Sequence, residues 1–298
     1  MVGPDTCGFS GNSDMELCNR WMQLSAFFPF YRNHNELSAN SQEAYVWASV
    51  AEASRVAMSI RYSLLPYWYT LFYKASTLGD PTIRPLFYEF PDDQSLAAAD
   101  RQFMVGDGLL VTPVLAQGYT NVSGVFPGNE VWYDWYTFDS RKPSGNVTID
   151  APLGYIPLHI RAGKILPIQV HLHRSCSCQE PGYTTTQCRK NPWSLIVALN
   201  STGEASGDIY IDDGVSITPN ATRLVNLSVS DKILSVWSGG DYSVEQPLGN
   251  ITVLGLSQPQ NVTFSRGGVD WSWNNNTLVV TGFDTSSAWN EPWTLSWD

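Results

Sequence analysis

The regular structure this sequence can form is divided unevenly along its length. Helical periodicity is confined to roughly the first ninety residues, and everything after is short apolar runs cut by Gly, Pro, Asn and Ser. Leu17, Trp21, Leu24 and Phe28 recur at helical spacing, Asp14 stands where an N-cap belongs, and Pro29 ends the run. Gln42 to Ser76 predicts a long helical stretch that Pro66 kinks or divides, closed by a Gly79-Asp80-Pro81 turn. Strands are then predicted at Ile83–Phe90, Gly108–Leu115 (with Pro113 pointing to a sheet edge), Val122–Phe126, Val131–Tyr136, Asn146–Ile149 and Ile156–Ile160. The polar stretch His171–Trp193 marks a boundary. Beyond it come further strands from Leu195–Leu199 to Trp293–Trp297. The rhythm is that of antiparallel sandwiches. The helical block, with only isolated strands, cannot satisfy a sheet edge alone, so it reads as the end of a larger α/β unit.

Composition narrows the function. The 298 residues suffice for two or three domains. With 17 basic against 28 acidic residues, the net charge of −11 leaves no footprint for nucleic acid. The longest apolar tract, Ala48–Ala75, is broken by Glu52, Arg55, Arg61 and Lys74, so no membrane-spanning helix is expected. Aromatic residues make up 13%, which suits large cores and the stacking of sugar rings. Asn121, Asn146, Asn200, Asn220, Asn226, Asn250, Asn261 and Asn275 each head an Asn-x-Ser/Thr sequon, favouring a glycosylated, secreted protein. Met1–Asp5 has no basic region or apolar core, so a secretory signal is expected upstream.

Cys7 and Cys18 bracket a short Gly-containing loop where a local disulfide fits. Cys176, Cys178 and Cys188 form a second cluster, with His171 and His173 just before it. Zinc sites usually space paired ligands by two or more residues, so a disulfide within the loop is preferred to a metal.

Several segments, in order, carry a resemblance. Gly3-Pro4-Asp5-Thr6-Cys7-Gly8-Phe9, Leu17-Cys18-Asn19-Arg20-Trp21, Phe28-Pro29-Phe30-Tyr31-Arg32-Asn33-His34-Asn35 and Leu64-Leu65-Pro66-Tyr67-Trp68 lie in the helical block. Arg84-Pro85-Leu86-Phe87, Gly108-Leu109-Leu110-Val111-Thr112-Pro113, Ile160-Arg161-Ala162-Gly163-Lys164 and Asp212-Asp213-Gly214 continue through the β blocks. Together they resemble glycoside hydrolase family 31, the secreted fungal α-glucosidases in particular. The resemblance implies an α/β plus all-β fold. Residues 1–83 would be the C-terminal part of a (β/α)8 TIM barrel, followed by a proximal (84–170) and a distal (171–298) antiparallel β-sandwich. It implies retaining hydrolysis of terminal α-linked glucose from maltose, malto-oligosaccharides or starch by two carboxyl groups. The family's Trp-x-Asp-Met nucleophile segment does not occur here, so no catalytic residue is expected in this chain and both carboxyl groups are expected upstream. No cofactor or metal is implied. The implied partners are an α-glucoside and the N-terminal half of the enzyme, in the same chain or as a processed subunit.

The same resemblance places Asp5, Phe9 and His34 against the bound glucose, with Arg32 supporting them through an ion pair. On their own residue types, Asp5 could be a turn former, His34 a satisfied loop histidine and Phe9 ordinary packing. Asp212 and Asp213 before Gly214 read as a turn, with calcium as an alternative, rather than as a catalytic pair. Trp271, Trp273, Trp289, Trp293 and Trp297 read as core or interface packing rather than a sugar-binding face. The alternatives are another family 31 activity (α-xylosidase, transglucosylase or α-glucan lyase) and a non-catalytic carbohydrate-binding β module.

Overall fold

The computed structural model describes residues 1–142, 144–172, 179–180 and 184–298, with the backbone alone at 144, 171–172 and 179–180. Cys176, Cys178 and His173 lie outside the described residues, as does the side chain of His171. The pairing expected among Cys176, Cys178 and Cys188 is therefore outside them too.

The N-terminal block is a strand–helix–strand unit. Strand β1 (Asp5–Thr6) pairs in parallel with β2 (Arg32–Asn33), and helix α1 (Met15–Ser25) crosses between them. Asp14 Oδ1 accepts the Leu17 N–H at 2.8 Å, the expected cap. Gly3 lets the two segments close up, since a Cβ there would lie 1.9 Å from the Phe30 carbonyl oxygen. The long helical stretch divides as Pro66 requires, into α2 (Ala48–Ser63) and α3 (Leu65–Leu78), with Pro66 in the first turn of α3.

The stripe expected to bury α1 has the right period but faces elsewhere. Cys18, Asn19, Met22, Gln23 and Ser25 are the buried positions. Leu17, Trp21, Leu24 and Phe28 instead line an open groove of about 420 Å³ with Val114 and Leu115. The inward face is the more polar because it is bonded: Asn19 Nδ2 donates to the Ser49 carbonyl, and Gln23 Nε2 to Asn19 Oδ1.

The strand expected at Ile83–Phe90 is only β3 (Ile83–Pro85), because the chain turns at Pro85 into a one-turn helix, α4 (Leu86–Glu89). Next come β4 (Phe103–Val105), β5 (Leu109–Val111), β6 (Asn121–Phe126), β7 (Trp132–Asp134), β8 (Ser140–Arg141), β9 (Ser144–Asp150) and β10 (Leu158–Arg161). They form a six-stranded sheet in the order β3-β4-β5-β10-β7-β8, and a separate pair, β6-β9. Pro113 does not mark an edge, for β5 ends before it and lies between β4 and β10. Phe126, Val125, Val147 and Ile149 of the β6-β9 pair pack on Met104, Leu110 and Trp132 of the larger sheet and on Leu86 of α4.

The remaining elements are β11 (Lys164–Gln169), β12 (His171–Leu172), β13 (Gln179–Glu180), α5 (Thr185–Cys188), β14 (Trp193–Ala198), β15 (Ala205–Ile211), β16 (Arg223–Ser230), β17 (Ile233–Gly240), β18 (Leu248–Leu254), β19 (Val262–Phe264), β20 (Asp270–Asn274), β21 (Thr277–Thr281) and β22 (Trp293–Trp297). Ten of these form one sheet, β19-β22-β17-β16-β15-β11-β14-β18-β21-β20. It is not wholly antiparallel, since β11 with β15 and β14 with β18 are parallel. Sequence patterning on one face cannot reveal strand direction. Strand β11, which falls within residues 84–170, pairs along its whole length with β14 in this second sheet.

His159 sits mid-β10, between β5 and β7, and is 1% exposed. Its Nε2 lies 3.8 Å from Asp134 Oδ2, and its ring packs edge-on against Phe126 at 4.6 Å. Burial pushes its pKa down to about 4, against the opposing pull of Asp134. The unfolded chain, at about 6.5, therefore takes up this proton first. The contribution is fully present above pH 6.5 and is lost as pH falls from there towards 4. Thermal unfolding followed across that window should show a downward slope that His159→Leu flattens; an equal slope in the variant would assign the loss to other groups.

Candidate sugar-binding site at the ends of two parallel strands

Asp5 and Arg32 are directly opposed in the β1-β2 pairing. Arg32 donates from both Nε (3.1 Å) and Nη2 to Asp5 Oδ1, so the ion pair expected for Arg32 forms, and with Asp5 itself. The guanidinium also lies 5.2 Å above the Phe30 ring. The Asp5 side chain is about one-fifth exposed and that of Arg32 about half exposed, so the pair is open to solvent on one side. Arg32 engages only Oδ1, and among the described residues no hydrogen bond reaches Oδ2, which stays open as an acceptor.

The loops that follow the two strands run together. The Glu36 N–H donates to the Phe9 carbonyl at 3.0 Å, and the Gly11 N–H to Glu36 Oε1 at 2.7 Å. Phe9 and His34 thereby meet with ring centroids 5.3 Å apart, tilted by 41°. Both are exposed, Phe9 at 45%. An exposed phenyl ring beside an imidazole offers one apolar face and one hydrogen-bonding edge, a pairing suited to a sugar ring and its hydroxyls. Asp5 and Arg32 thus pair on β1 and β2, and Phe9 and His34 meet in the loops that follow those strands.

One positioning residue is not legible in the sequence. Gln42, 2% exposed, was expected to begin the long helix, yet it lies before the first helical turn. Its Nε2 shares its hydrogens among the carbonyls of Thr6 (3.3 Å), Gly8 (3.1 Å) and His34 (3.3 Å). Its own carbonyl accepts Asn33 Nδ2 at 3.0 Å, and its Oε1 accepts the Ser13 hydroxyl at 3.1 Å. One buried amide therefore ties the loop carrying Phe9 to the loop carrying His34. Cys7 adopts a left-handed φ of 73°, uncommon for a residue with a Cβ, and is held there by its disulfide to Cys18 of α1.

The other candidates fall away from this site. Asp213 Oδ1 accepts the Val215 and Ser216 N–H groups, and Asp212 Oδ1 accepts the Gly214 N–H and the Tyr69 hydroxyl, so both carboxylates are engaged in a turn. Trp289, Trp293 and Trp297 are buried in the core of the ten-stranded sheet. Trp273 packs against that core from β20, while Trp271 is 36% exposed. Asn121, Asn146, Asn220, Asn226, Asn261 and Asn275 are exposed and Asn200 is half-buried. Asn250 is only 4% exposed, and a glycan on it is incompatible with the folded sheet. Among the described residues no helix is long and apolar enough to cross a membrane.

The chain that carries these residues is similar to known proteins. Residues 1–71 match the model of the glycosyl hydrolases family 31 TIM-barrel domain, and residues 79–166 that of the glycosyl hydrolase family 31 C-terminal domain. The chain is 51% identical to glucoamylase 1 of Schwanniomyces occidentalis over 99% of its own length, and 50% identical to an α-glucosidase of Aspergillus niger over all of it. It spans 31% of the length of each. The glucosidase II alpha subunit bound to Glc1Man2 superposes on 99% of this chain and 34% of its own, with a TM-score of 0.87 and 27% identity. These matches define the chain as part of a glycoside hydrolase in which barrel-derived elements precede β domains. It belongs to glycosyl hydrolase family 31.

Gln42→Leu keeps the volume and removes the donor, leaving three carbonyls without it. Chemical denaturation should show a loss of about 2–3 kcal/mol. A loss below about 0.5 kcal/mol would mean that Gln42 does not hold the loops.

Proposed function

We propose that the chain is the C-terminal portion of a secreted, retaining α-glucosidase that removes terminal non-reducing α-linked glucose from maltose, malto-oligosaccharides or starch. Residues 1–83 would complete a (β/α)8 barrel, with residues 84–170 and 171–298 as β-sandwich domains. The nucleophile and the acid/base, both carboxyl groups, would come from the part of the enzyme outside these 298 residues. One observation carries the reading. Asp5 and Arg32 pair on two parallel strands, and Phe9 and His34 meet in the loops that follow them, the end at which barrels of this kind carry their sites, in a chain half identical to an α-glucosidase and a glucoamylase.

On this reading each residue has a definite task. Asp5 Oδ2 accepts from a hydroxyl of the terminal glucose, while Arg32 fixes the carboxylate plane and offsets its charge, so that neighbouring carboxyl groups feel a smaller field. His34 bonds a second hydroxyl through a ring nitrogen. Phe9 covers the C–H face of the sugar and narrows access for water. Together they orient the glucose so that its anomeric carbon faces the nucleophile, which is where fixed geometry lowers the barrier.

In the complete enzyme, His34→Ala should lower kcat/KM for maltose about 100-fold, or about 2.7 kcal/mol, with the circular dichroism spectrum unchanged. Asp5→Asn should weaken turnover comparably, and Arg32→Lys less. Parent-like kinetics in both the His34 and Asp5 variants would remove this cluster from the glucose site.

A further inference from the structure

Strand β16 alternates strictly between buried and exposed residues, so Leu224, Asn226, Ser228 and Ser230 share the outer face of the ten-stranded sheet. On β17 the outer face carries Ile233, Ser235, Trp237 and Gly239, with Trp237 57% exposed and the largest apolar surface there. Asn226 of the sequon Asn226-Leu227-Ser228 lies directly opposite Trp237 in the antiparallel register, so their Cβ atoms are about 4.5–5.5 Å apart.

The indole does not stand up from the sheet. A Cβ on Gly239 would lie 2.4 Å from the Cη2 atom of Trp237 and 3.0 Å from its Cζ2. The six-membered ring therefore rests over the glycine two residues along its own strand. A side chain at 239 would lift it. Lying flat, the indole turns a ring face to solvent. On the other side of Asn226 the neighbouring position is Asp208, engaged by Lys74 of α3 at 2.7 Å. A group attached to Asn226 thus has a charged pair on one side and an open aromatic platform on the other.

We propose that Asn226 carries an N-linked glycan whose first N-acetylglucosamine stacks on Trp237. The inference rests on the secretory part of the proposed function. Attachment joins Asn226 Nδ2 to the anomeric carbon of a lipid-diphosphate-linked oligosaccharide. The amide nitrogen loses one proton, the bond from the anomeric carbon to the diphosphate oxygen breaks, and the lipid diphosphate leaves. The sugar's axial C–H bonds then meet the electron-rich indole face and shield it from water, as sugar-binding sites do with aromatic platforms. The exposed Trp237 thereby acquires a partner from its own chain.

The test uses the complete enzyme made in a secreting yeast, with its glycans trimmed to single N-acetylglucosamine residues. Glycopeptide mass spectrometry reads occupancy at each sequon. Acrylamide quenching of the Trp237 signal, isolated by subtraction of a Trp237→Phe variant, reads shielding. We expect Asn226 to be occupied and Trp237 to be quenched less than in Asn226→Gln. We also expect Asn226→Gln to lower Tm by about 2–4 °C in the Trp237 background and by less than half as much in Trp237→Ser. Equal Tm losses in the two backgrounds would overturn the stacking. Occupancy at other sequons with Asn226 bare would overturn this proposal alone. All sequons bare would overturn the secretory reading with it. Quenching relieved by added maltoheptaose rather than by the attached sugar would make Trp237 a platform for free glucan and overturn the proposal.

Discussion

Strands β11 and β14 are buried on both faces, and the molecule is organised around that fact. Ile165, Leu195 and Val197 face the core enclosed by the ten-stranded sheet. Leu166, Ile168, Ile196 and Ala198 face the other way, into a second core. That second core takes Leu109, Val111, Leu158 and Ile160 from the six-stranded sheet and Phe27, Ala57, Leu64, Trp68 and Leu71 from the N-terminal block. Three parts of the chain therefore share one apolar interior, and none can shift without opening it. Double burial explains why Leu195–Ala198 reads as an unbroken apolar run rather than an alternating one.

Polar contacts fix the register of these parts where burial alone would let them slide. Helix α3 lies against the outer face of β15: Tyr73 stacks on Tyr210 at 3.9 Å, Tyr69 donates to Asp212, and Lys74 pairs with Asp208. Tyr67, buried, donates to the Val105 carbonyl and accepts the Gly108 N–H. Arg161 reaches Glu89, which also holds Arg84. Apart from the local Arg84–Glu89 pair, each contact joins elements far apart in sequence, so these pairs act on orientation more than on total stability.

Much of this was legible from the residues, and the failures have physical causes. Trp293–Trp297 and the alternating β16 were readable because each presents one apolar face with period two. Strand β11 was not, because Pro167 interrupts it; the proline is tolerated since β11 meets β15 only near Lys164. The outward apolar stripe of α1 misled because its inward face is built from Asn19 and Gln23, satisfied by partners that periodicity cannot see. In the site, Asp5, Arg32, Phe9 and His34 came from motif resemblance, which carries chemistry but not the bracket beneath it. Gln42 reads as the first residue of the long helical stretch; its role appears only when the carbonyls of Thr6, Gly8 and His34 converge on it.

The two β layers, remote in sequence from the site, still bear on its geometry. Arg61 of α2 donates to the carbonyls of Ala26 and Phe28 at 2.7 and 2.6 Å, which fixes the turn leading into β2. Its guanidinium lies 5.0 Å over the ring of Trp68, and Trp68 is held in the core that β11 and β14 close. A contiguous line of packed groups thus runs from the ten-stranded sheet through Trp68 and Arg61 to the start of the strand that carries Arg32 and leads to His34. Phe9 and His34 are exposed and loop-borne, so their own contacts cannot hold them to the tolerance that the proposed sugar recognition needs. The tolerance comes from the shared core, and the β layers are part of the site's support.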